Sequence, residues 1–467
     1  MKKLLTLIAI ILVLTSALVS CDFLTPAPDG DGGENIENGN DTDDGGNTEE
    51  SESTEHTHEF GEWITTVEPT CAEQGVSGRS CTCGEKETKI IDRTSHNIDS
   101  GVCTICGMKF SEGLEFVSNG DGTCYVKGIG SCQDVELVIP HVSPSGDTVT
   151  SVADEAFRRN MTLTKLILPA TLISVGDLAF QYCYNVESII FEAESQLATI
   201  GRMSFYYCES ITSIVIPKNV TSMGEGAFGS CLSLLEFKVE EGNTSYKAID
   251  GNLYNFDETE FIQYALGKTE ESFTIPESVV TIGLESFRYC DTLKAIFFAE
   301  NCKVTTIEAS AFSYCTALVD IIIPESVTVI KESAFSNCEA LSSITIPESV
   351  TEIASWLFGY CKSLTAITLH AGITTIGNSA FYRCEFLENV ICAENSRLTT
   401  ISERAFYECY RLKSITIPVS VTIVGKDAFA YCYALADVHY GGTPDQWSAI
   451  SIGKSNDSLK NATIHYS

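Results

Sequence analysis

The sequence predicts a solenoid of stacked, β-dominated coils, and three observations carry that prediction. A Phe stands three residues before a Cys ten times: Phe180/Cys183, Phe205/Cys208, Phe228/Cys231, Phe287/Cys290, Phe312/Cys315, Phe335/Cys338, Phe358/Cys361, Phe381/Cys384, Phe406/Cys409 and Phe429/Cys432. Successive Cys lie 23 or 25 residues apart, except for one gap of 59. Seven of the 12 Pro follow Ile or Leu at the same point of the repeat, at 140, 169, 217, 276, 324, 347 and 418. A fixed period of this length marks a repeat array in which no coil buries its apolar face alone. A founder copy at Phe157 carries Asn160 in the Cys slot.

Each coil is legible in order. Ile211–Pro217 reads as a short strand with Ile214 and Ile216 inward and Ser213 and Val215 outward. The Pro stops every strand at the same depth. A second extended run follows at 220–223, 327–330 and 350–353. The Ala-Phe-x-x-Cys piece then closes the coil as a turn or one helical turn. Stacking sets equivalent positions roughly 4.8 Å apart, beyond the Cβ separation of about 3.8 Å that a disulfide prefers. The ten ladder Cys are therefore expected as buried free thiols, small hydrophobes and weak donors. An amide at Asn160 suits the same slot by bonding the loop backbone. Inside the 59-residue gap, Gly251–Tyr254, Glu258–Glu260 and Phe261–Tyr264 read as a hairpin projecting from the solenoid near 240–268.

The segments before the array have other jobs. Met1-Lys2-Lys3 and the apolar run Leu4–Leu14 read as a secretory signal, too short for a mature membrane span. Its end, Leu18-Val19-Ser20-Cys21, resembles the lipobox of bacterial lipoproteins. That resemblance implies cleavage before Cys21, whose thiol then carries the lipid anchor. Residues 22–55 hold 12 Asp/Glu and no Lys or Arg. With no apolar periodicity, they are expected to be a disordered, self-repelling tether. Residues 56–110 form a small Cys/His module. Cys103-Thr-Ile-Cys106-Gly107 has zinc-knuckle spacing, and Cys81-Thr-Cys83-Gly84 is a shortened version. With Cys71 and His96 these residues make a candidate Zn site. Export favours disulfides among the same residues, and both readings stand at this stage.

Composition narrows the partners. The chain has 467 residues, 29 Lys+Arg against 63 Asp+Glu, and a net charge of −34. That argues against nucleic acid, whose phosphates require clustered cations. No zinc-protease helix, P-loop or nucleophile elbow is present, so catalysis is not expected. Two surfaces are candidates for recognition. The outward strand row includes Ile190, Val215, Phe297 and Ile322; it reads as a protein-binding ribbon or as plain strand propensity. Twelve of the 18 Tyr lie within two residues of a ladder Cys, among them Tyr206, Tyr207, Tyr407 and Tyr410. They line one flank, either to contact a protein or glycan or to cover coil junctions.

The repeat Leu-x-x-Ile-x-Ile-Pro-x-x-Val-Thr-x-Ile-x-x-x-Ala-Phe-x-x-Cys resembles the BspA-type leucine-rich repeat over about residues 111–467. The resemblance implies an N-terminal cap at 111–150, with Cys124 and Cys132 a candidate disulfide, repeats at 151–438 and a C-terminal cap at 439–467. The implied fold is a leucine-rich repeat solenoid, horseshoe-like and β-dominated with short helical turns. The implied function is a lipid-anchored, surface-exposed adhesion protein. It would bind a protein or glycoprotein, host extracellular matrix included, and reach the membrane through Cys21. An envelope scaffold and a zinc-binding lipoprotein are the alternatives.

Overall fold

The structure, a computed structural model, describes residues 59–68, 75–91, 98–99, 102–104, 107 and 109–467. The signal segment with Cys21, the acidic tether, and Cys71, His96 and Cys106 lie outside the described residues.

Alternation along each strand sets the stack. In Ser213–Ile216, Ile214 and Ile216 are buried while Val215 faces out. The next coil repeats the pattern in parallel register, with Ile214 opposite Phe237. Strands of this set form one sheet in four pieces. The first joins Glu136–Val138, Lys165–Leu168 and Ser188–Phe191, and the second joins Ser213–Ile216 to Glu236–Val239. The third holds Ser272–Ile275, Ala295–Phe298 and Asp320–Ile321. The last runs from Ala366–Leu369 to Thr463–Tyr466. After the strand, the Pro carbonyl accepts from the residue three later, as Pro217 does from Val220 N–H at 3.1 Å. That tight turn leads into a two-residue strand, such as Ser174–Val175 paired with Thr199–Ile200. These short strands make a second parallel sheet in three pieces.

The Ala-Phe-x-x-Cys turn is the most regular part of the coil. The residues two before and two after every repeat Phe are left-handed, with φ between +50° and +65°, from Glu155 and Arg159 to Asp427 and Tyr431. Only Gly226 among them is a glycine. The conformation costs about 1 kcal/mol or more at each non-glycine residue. Three axial hydrogen bonds per turn, worth about 1 kcal/mol each, and a buried Phe offset it. In the founder coil Glu155 N–H, Phe157 N–H and Arg159 N–H donate to Asp177, Ala179 and Gln181 carbonyls of the next coil at 2.7–2.9 Å. Every coil with a regular successor repeats these three bonds, so the axial N–H groups all point toward the C-terminal cap. Phe rings stack along the axis with centroids 4.9–6.0 Å apart and planes within 24° between neighbouring regular coils.

The ten ladder thiols are buried beside that spine, none in a disulfide. Nine donate to the carbonyl of the Phe one coil earlier, at 3.0–3.4 Å, as Cys361 Sγ does to Phe335 O at 3.2 Å. Cys290, next to the insertion, instead meets Thr292 Oγ1 at 3.8 Å. Burial raises these thiols, with Cys183, Cys231 and Cys432 pushed up to about 12. Asn160 Oδ1 accepts from Thr162 N–H at 2.9 Å and Leu163 N–H at 3.2 Å, holding the loop in the founder copy.

The long gap is not a projecting hairpin, and here the expectation is corrected. Tyr246–Ile249, Asn252–Asn255 and Glu260–Gln263 form an antiparallel meander. Its last strand joins the second sheet in parallel, Phe261 opposite Ile282. Tyr264 N–H donates to Ser286 O at 2.9 Å, the bond that a repeat Phe makes elsewhere. Leu253, Tyr254, Phe261 and Tyr264 are all buried. Hiding such side chains is worth about 1.5–3 kcal/mol each, so the insertion folds inward. It also divides the interior into two apolar clusters, one from Leu114 to Phe237 with Leu253 and Ala265, the other from Tyr254 to Leu459.

Both ends are closed. The hairpin Glu115–Ser118/Thr123–Gly128 continues the second sheet at the N-terminal side. Cys124 and Cys132 are free thiols, not a disulfide. Cys124 Sγ instead donates to Asp147 O at 3.6 Å. At the other end the helix Pro444–Ser448, with a Thr443/Gln446 capping box, precedes a cap in which Asn456 is fully buried. Asn456 Oδ1 accepts the last axial Phe donor, Phe429 N–H, at 2.9 Å.

In the small module, Ile64–Val67, Gly75–Ser80 and Lys86–Ile91 form an antiparallel sheet. The Arg79 guanidinium lies 4.7 Å from the Trp63 ring and the Lys89 ammonium 4.6 Å from it.

Candidate binding surfaces

The strand row reaches solvent where alternation places it. Ile190, Val215, Phe297, Ile322 and Ile391 are exposed, Ile322 most at 77%. Lys238 interrupts the row and pairs with Glu236 at 2.5 Å. Phe297 and Ile322 border a cleft of about 620 Å³ with Phe298, Cys302 and Pro324. It sits where the first sheet stops after Asp320–Ile321.

The tyrosine flank has a clear structural origin. In six coils the left-handed residue before Cys is Tyr, at 182, 207, 289, 314, 360 and 431. That conformation turns the side chain away from the Phe core. The rings then approach one another along the axis. Tyr182–Tyr207 centroids are 5.3 Å apart, Tyr207–Tyr289 5.7 Å and Tyr289–Tyr314 4.6 Å. After Asn337 a second run begins, in which Tyr382 and Tyr407 come from the position directly after Phe rather than from the left-handed one, with Tyr360–Tyr382 at 5.4 Å, Tyr382–Tyr407 at 5.0 Å and Tyr407–Tyr431 at 5.1 Å. Arginines lie over these rings: Arg288 over Tyr289 at 5.1 Å and Arg383 over Tyr360 and Tyr382 at 5.9 Å. Glu408 fixes the second run by accepting from Arg383 Nε and from Tyr410 Oη, both at 2.5 Å. The Glu408 bond pushes the Tyr410 phenol up to about 12.

The sequence-chosen residues divide on this flank. Tyr207 and Tyr407 are half-buried members of the stack, and Tyr410 is exposed. Tyr206 is buried and is not a surface residue. Its ring fills the space left by Gly226 and Gly229 in the next coil. Its hydroxyl accepts from Arg288 Nη1 at 3.0 Å, and Arg288 is ion-paired to buried Glu285. This polar knot ties the coils on the two sides of the insertion. Burial, followed by the Glu285 charge, raises the Tyr206 phenol. Sequence position alone could not separate Tyr206 from Tyr207, because the left-handed kink between them is set by the turn.

Of the candidate metal residues, Cys81 and Cys83 come together. Gly84 N–H donates to Cys81 O at 2.9 Å, closing a tight turn. The two thiol groups hydrogen-bond, which raises the Cys83 thiol. Cys103 lies in the strand Val102–Cys103. Among the described residues no group of three or more His, Cys, Asp or Glu side chains is arranged to hold a metal ion.

Two in-register parallel sheets, a Phe spine and closed ends define a repeat scaffold that displays side chains along its surface. Residues 139–255, 262–305 and 305–436 match the model of the BspA type leucine rich repeat region, in six copies. The chain belongs to the BspA-type leucine-rich repeat family. A leucine-rich repeat protein from Eubacterium ventriosum is 27% identical, with a TM-score of 0.56 over 72% of this chain and 94% of that one. The pneumococcal vaccine antigen PcpA is 17% identical, with a TM-score of 0.50 over 77% of this chain and 98% of its own, and shows the same fold. No curated protein sequence matches the chain significantly.

Proposed function

We propose that this is a lipid-anchored surface protein of a bacterium whose repeat array grips a protein or glycoprotein, such as host extracellular matrix, and carries out no catalysis. One observation supports the reading above others. Tyr side chains, six of them at strained left-handed positions and joined by Tyr382, Tyr407 and Tyr410, line up with interleaved Arg on a surface the Phe core does not need. Tyr and Arg are the side chains that dominate binding hot spots. The excess negative charge elsewhere favours neutral or basic partners.

The chain from residue 22 onward, immobilised, should capture matrix proteins in preference to purified cell wall. The double variant Tyr407→Ala/Tyr410→Ala should weaken capture at least tenfold. Unchanged affinity would remove the flank as the contact surface, and preference for cell wall would favour the envelope-scaffold reading. Anchoring at Cys21 is checked by metabolic labelling with a palmitate analogue, which Cys21→Ala should abolish. The Cys81–Cys83 contact supports a zinc reading of the small module. Chelator-sensitive zinc at one equivalent, lost in Cys81→Ser/Cys83→Ser, is the expected result, and disulfide-linked peptides containing Cys81 or Cys83 would overturn it.

A further inference from the structure

At the C-terminal end of the tyrosine flank the stack opens into a cleft of about 320 Å³, lined by Tyr407, Tyr431, Tyr433, Ser455, Asp457 and Ser458 among others. That size lies at the lower end of roughly 300–1,000 Å³ for small-molecule sites. Its walls are rings at steep angles: Tyr407 against Tyr431 at 79° and Tyr431 against Tyr433 at 73°. Tyr433 is 74% exposed, and Tyr410 backs it nearly parallel, at 11° and 6.2 Å. The ring is thus supported on one side and open to solvent.

The turn ladder contributes a second, independent feature. In the last repeat the three axial donors are Asp427, Phe429 and Tyr431 N–H. The first goes to Lys454 O at 2.9 Å and the second to Asn456 Oδ1 at 2.9 Å. By that progression the third aims at the Ser458 side of the cleft, and no acceptor takes it among the described residues. The cleft therefore combines apolar ring faces, one directed backbone donor, two hydroxyls and the Asp457 carboxylate.

We infer that this cleft is a saccharide subsite that takes one neutral pyranose ring, its C–H face on Tyr433 and its hydroxyls on Tyr431 N–H, Asp457, Ser455 and Ser458. A ring with one apolar face and a rim of groups that both donate and accept matches this set. An organic cation matches less well. Asp427, the other carboxylate at the cleft, lies 3.6 Å from both Arg404 and Lys426, so its charge is already balanced. The inference deepens the reading of the array as a binding protein and supplies a ligand class for one end of it.

The test is saturation-transfer NMR on the chain from residue 22, with lactose, maltose and N,N′-diacetylchitobiose at millimolar concentration. A parallel arm uses tetramethylammonium. Transfer to the ring protons of at least one disaccharide is expected, with affinity falling at least tenfold in Tyr433→Ala and retained in Tyr433→Phe. Asp457→Asn should weaken it several-fold, and unchanged circular dichroism certifies the fold of each variant. No transfer to any of the three sugars, transfer that survives Tyr433→Ala, or transfer from tetramethylammonium alone would each overturn the subsite. Matrix-protein capture is measured on the same variants. Capture that persists while sugar transfer fails leaves the broader binding reading standing and removes only this one.

Discussion

The second sheet is interrupted twice, and the two interruptions are built differently. After Ser222–Met223 the second sheet stops, and the inserted meander of residues 246–263 fills the interval with buried Leu253, Tyr254 and Phe261. The apolar interior divides there, and the Tyr206–Arg288–Glu285 knot spans the junction. Between Val329–Ile330 and Glu352–Ile353 nothing is inserted, yet both sheets lose their pairing and a cleft of about 520 Å³ opens. There the turn ladder continues unbroken. Ser333, Phe335 and Asn337 N–H donate to Ser355, Leu357 and Gly359 carbonyls at 2.7–3.1 Å. Phe335 and Phe358 remain stacked at 6.0 Å, the widest step between neighbouring regular coils. The difference shows that the Phe turn is the element the stack keeps when its strands part. It also shows that a strand break must be filled by residues only where the turn ladder breaks as well.

This contrast can be broken most severely at Phe335. Phe335→Ala should cost about 3–5 kcal/mol and, because the turn carries that step, should split urea unfolding into two transitions. Phe180→Ala, where sheets and turn both pair, should shift one transition without splitting it. Identical behaviour of the two variants would deny the turn its special role. Next comes the knot. Glu285→Ala strands a partly buried Arg288 and should lower stability by about 3 kcal/mol, against about 1 kcal/mol for Tyr206→Phe. A Glu285→Ala loss within 0.5 kcal/mol, the scatter typical of surface substitutions, would show that the meander alone holds the junction.

A third expectation concerns opening. Thr374 N–H and Gly377 N–H are bonded to Thr351 O and Ile353 O at 2.9 and 2.7 Å. The corresponding amides of Thr351 and Ala354 face the open cleft and should exchange with deuterium about tenfold faster or more. Equal protection would mean that the cleft closes in solution. The smallest effect lies in the thiols. Burial raises Cys231 and Cys432 to about 12 from 9.0. The folded state thus holds protons that the unfolded state releases above pH 9, so this stability is complete below pH 9 and is lost as pH rises toward 12. The urea midpoint should fall between pH 8 and pH 10.5. Cys231→Ala/Cys432→Ala should cost about 1–2 kcal/mol at pH 7.5 and flatten that slope. A pH-independent midpoint would contradict it.

Much of this was legible in the residues, for definite reasons. The period, the strand alternation at Ile214 and Ile216, and the Pro stop follow from side-chain pattern, which burial enforces on every copy. The packing of the meander is not legible because apolar residues such as Leu253, Tyr254 and Phe261 give the same sequence whether a hairpin projects or packs. The left-handed residues carry no sequence signal, because Glu, Tyr, Ser, Asn and Arg occupy most of those positions, where isolated propensity favours Gly. Without that kink, Tyr206 and Tyr207 look equivalent, although one is interior and the other lines the flank. Tyr433 belongs to the twelve Tyr that the ladder spacing marks, but its meeting with Asp457 lies beyond sequence reasoning, since a repeat and its cap come together there only after folding.

The uniform aim of the turn peptides makes the array a directional polymer. Each repeat with a regular successor offers it the same three donors and meets the same three acceptors there, and Asn456 supplies the terminal acceptor for Phe429. A coil of 23 or 25 residues can therefore be duplicated or deleted in the middle without either end sensing the change. The two coil lengths differ by two residues, yet the donors keep step across both, so the extra residues are absorbed outside the Phe turn. Such a chain is built to vary its reach by whole increments while its two ends stay constant.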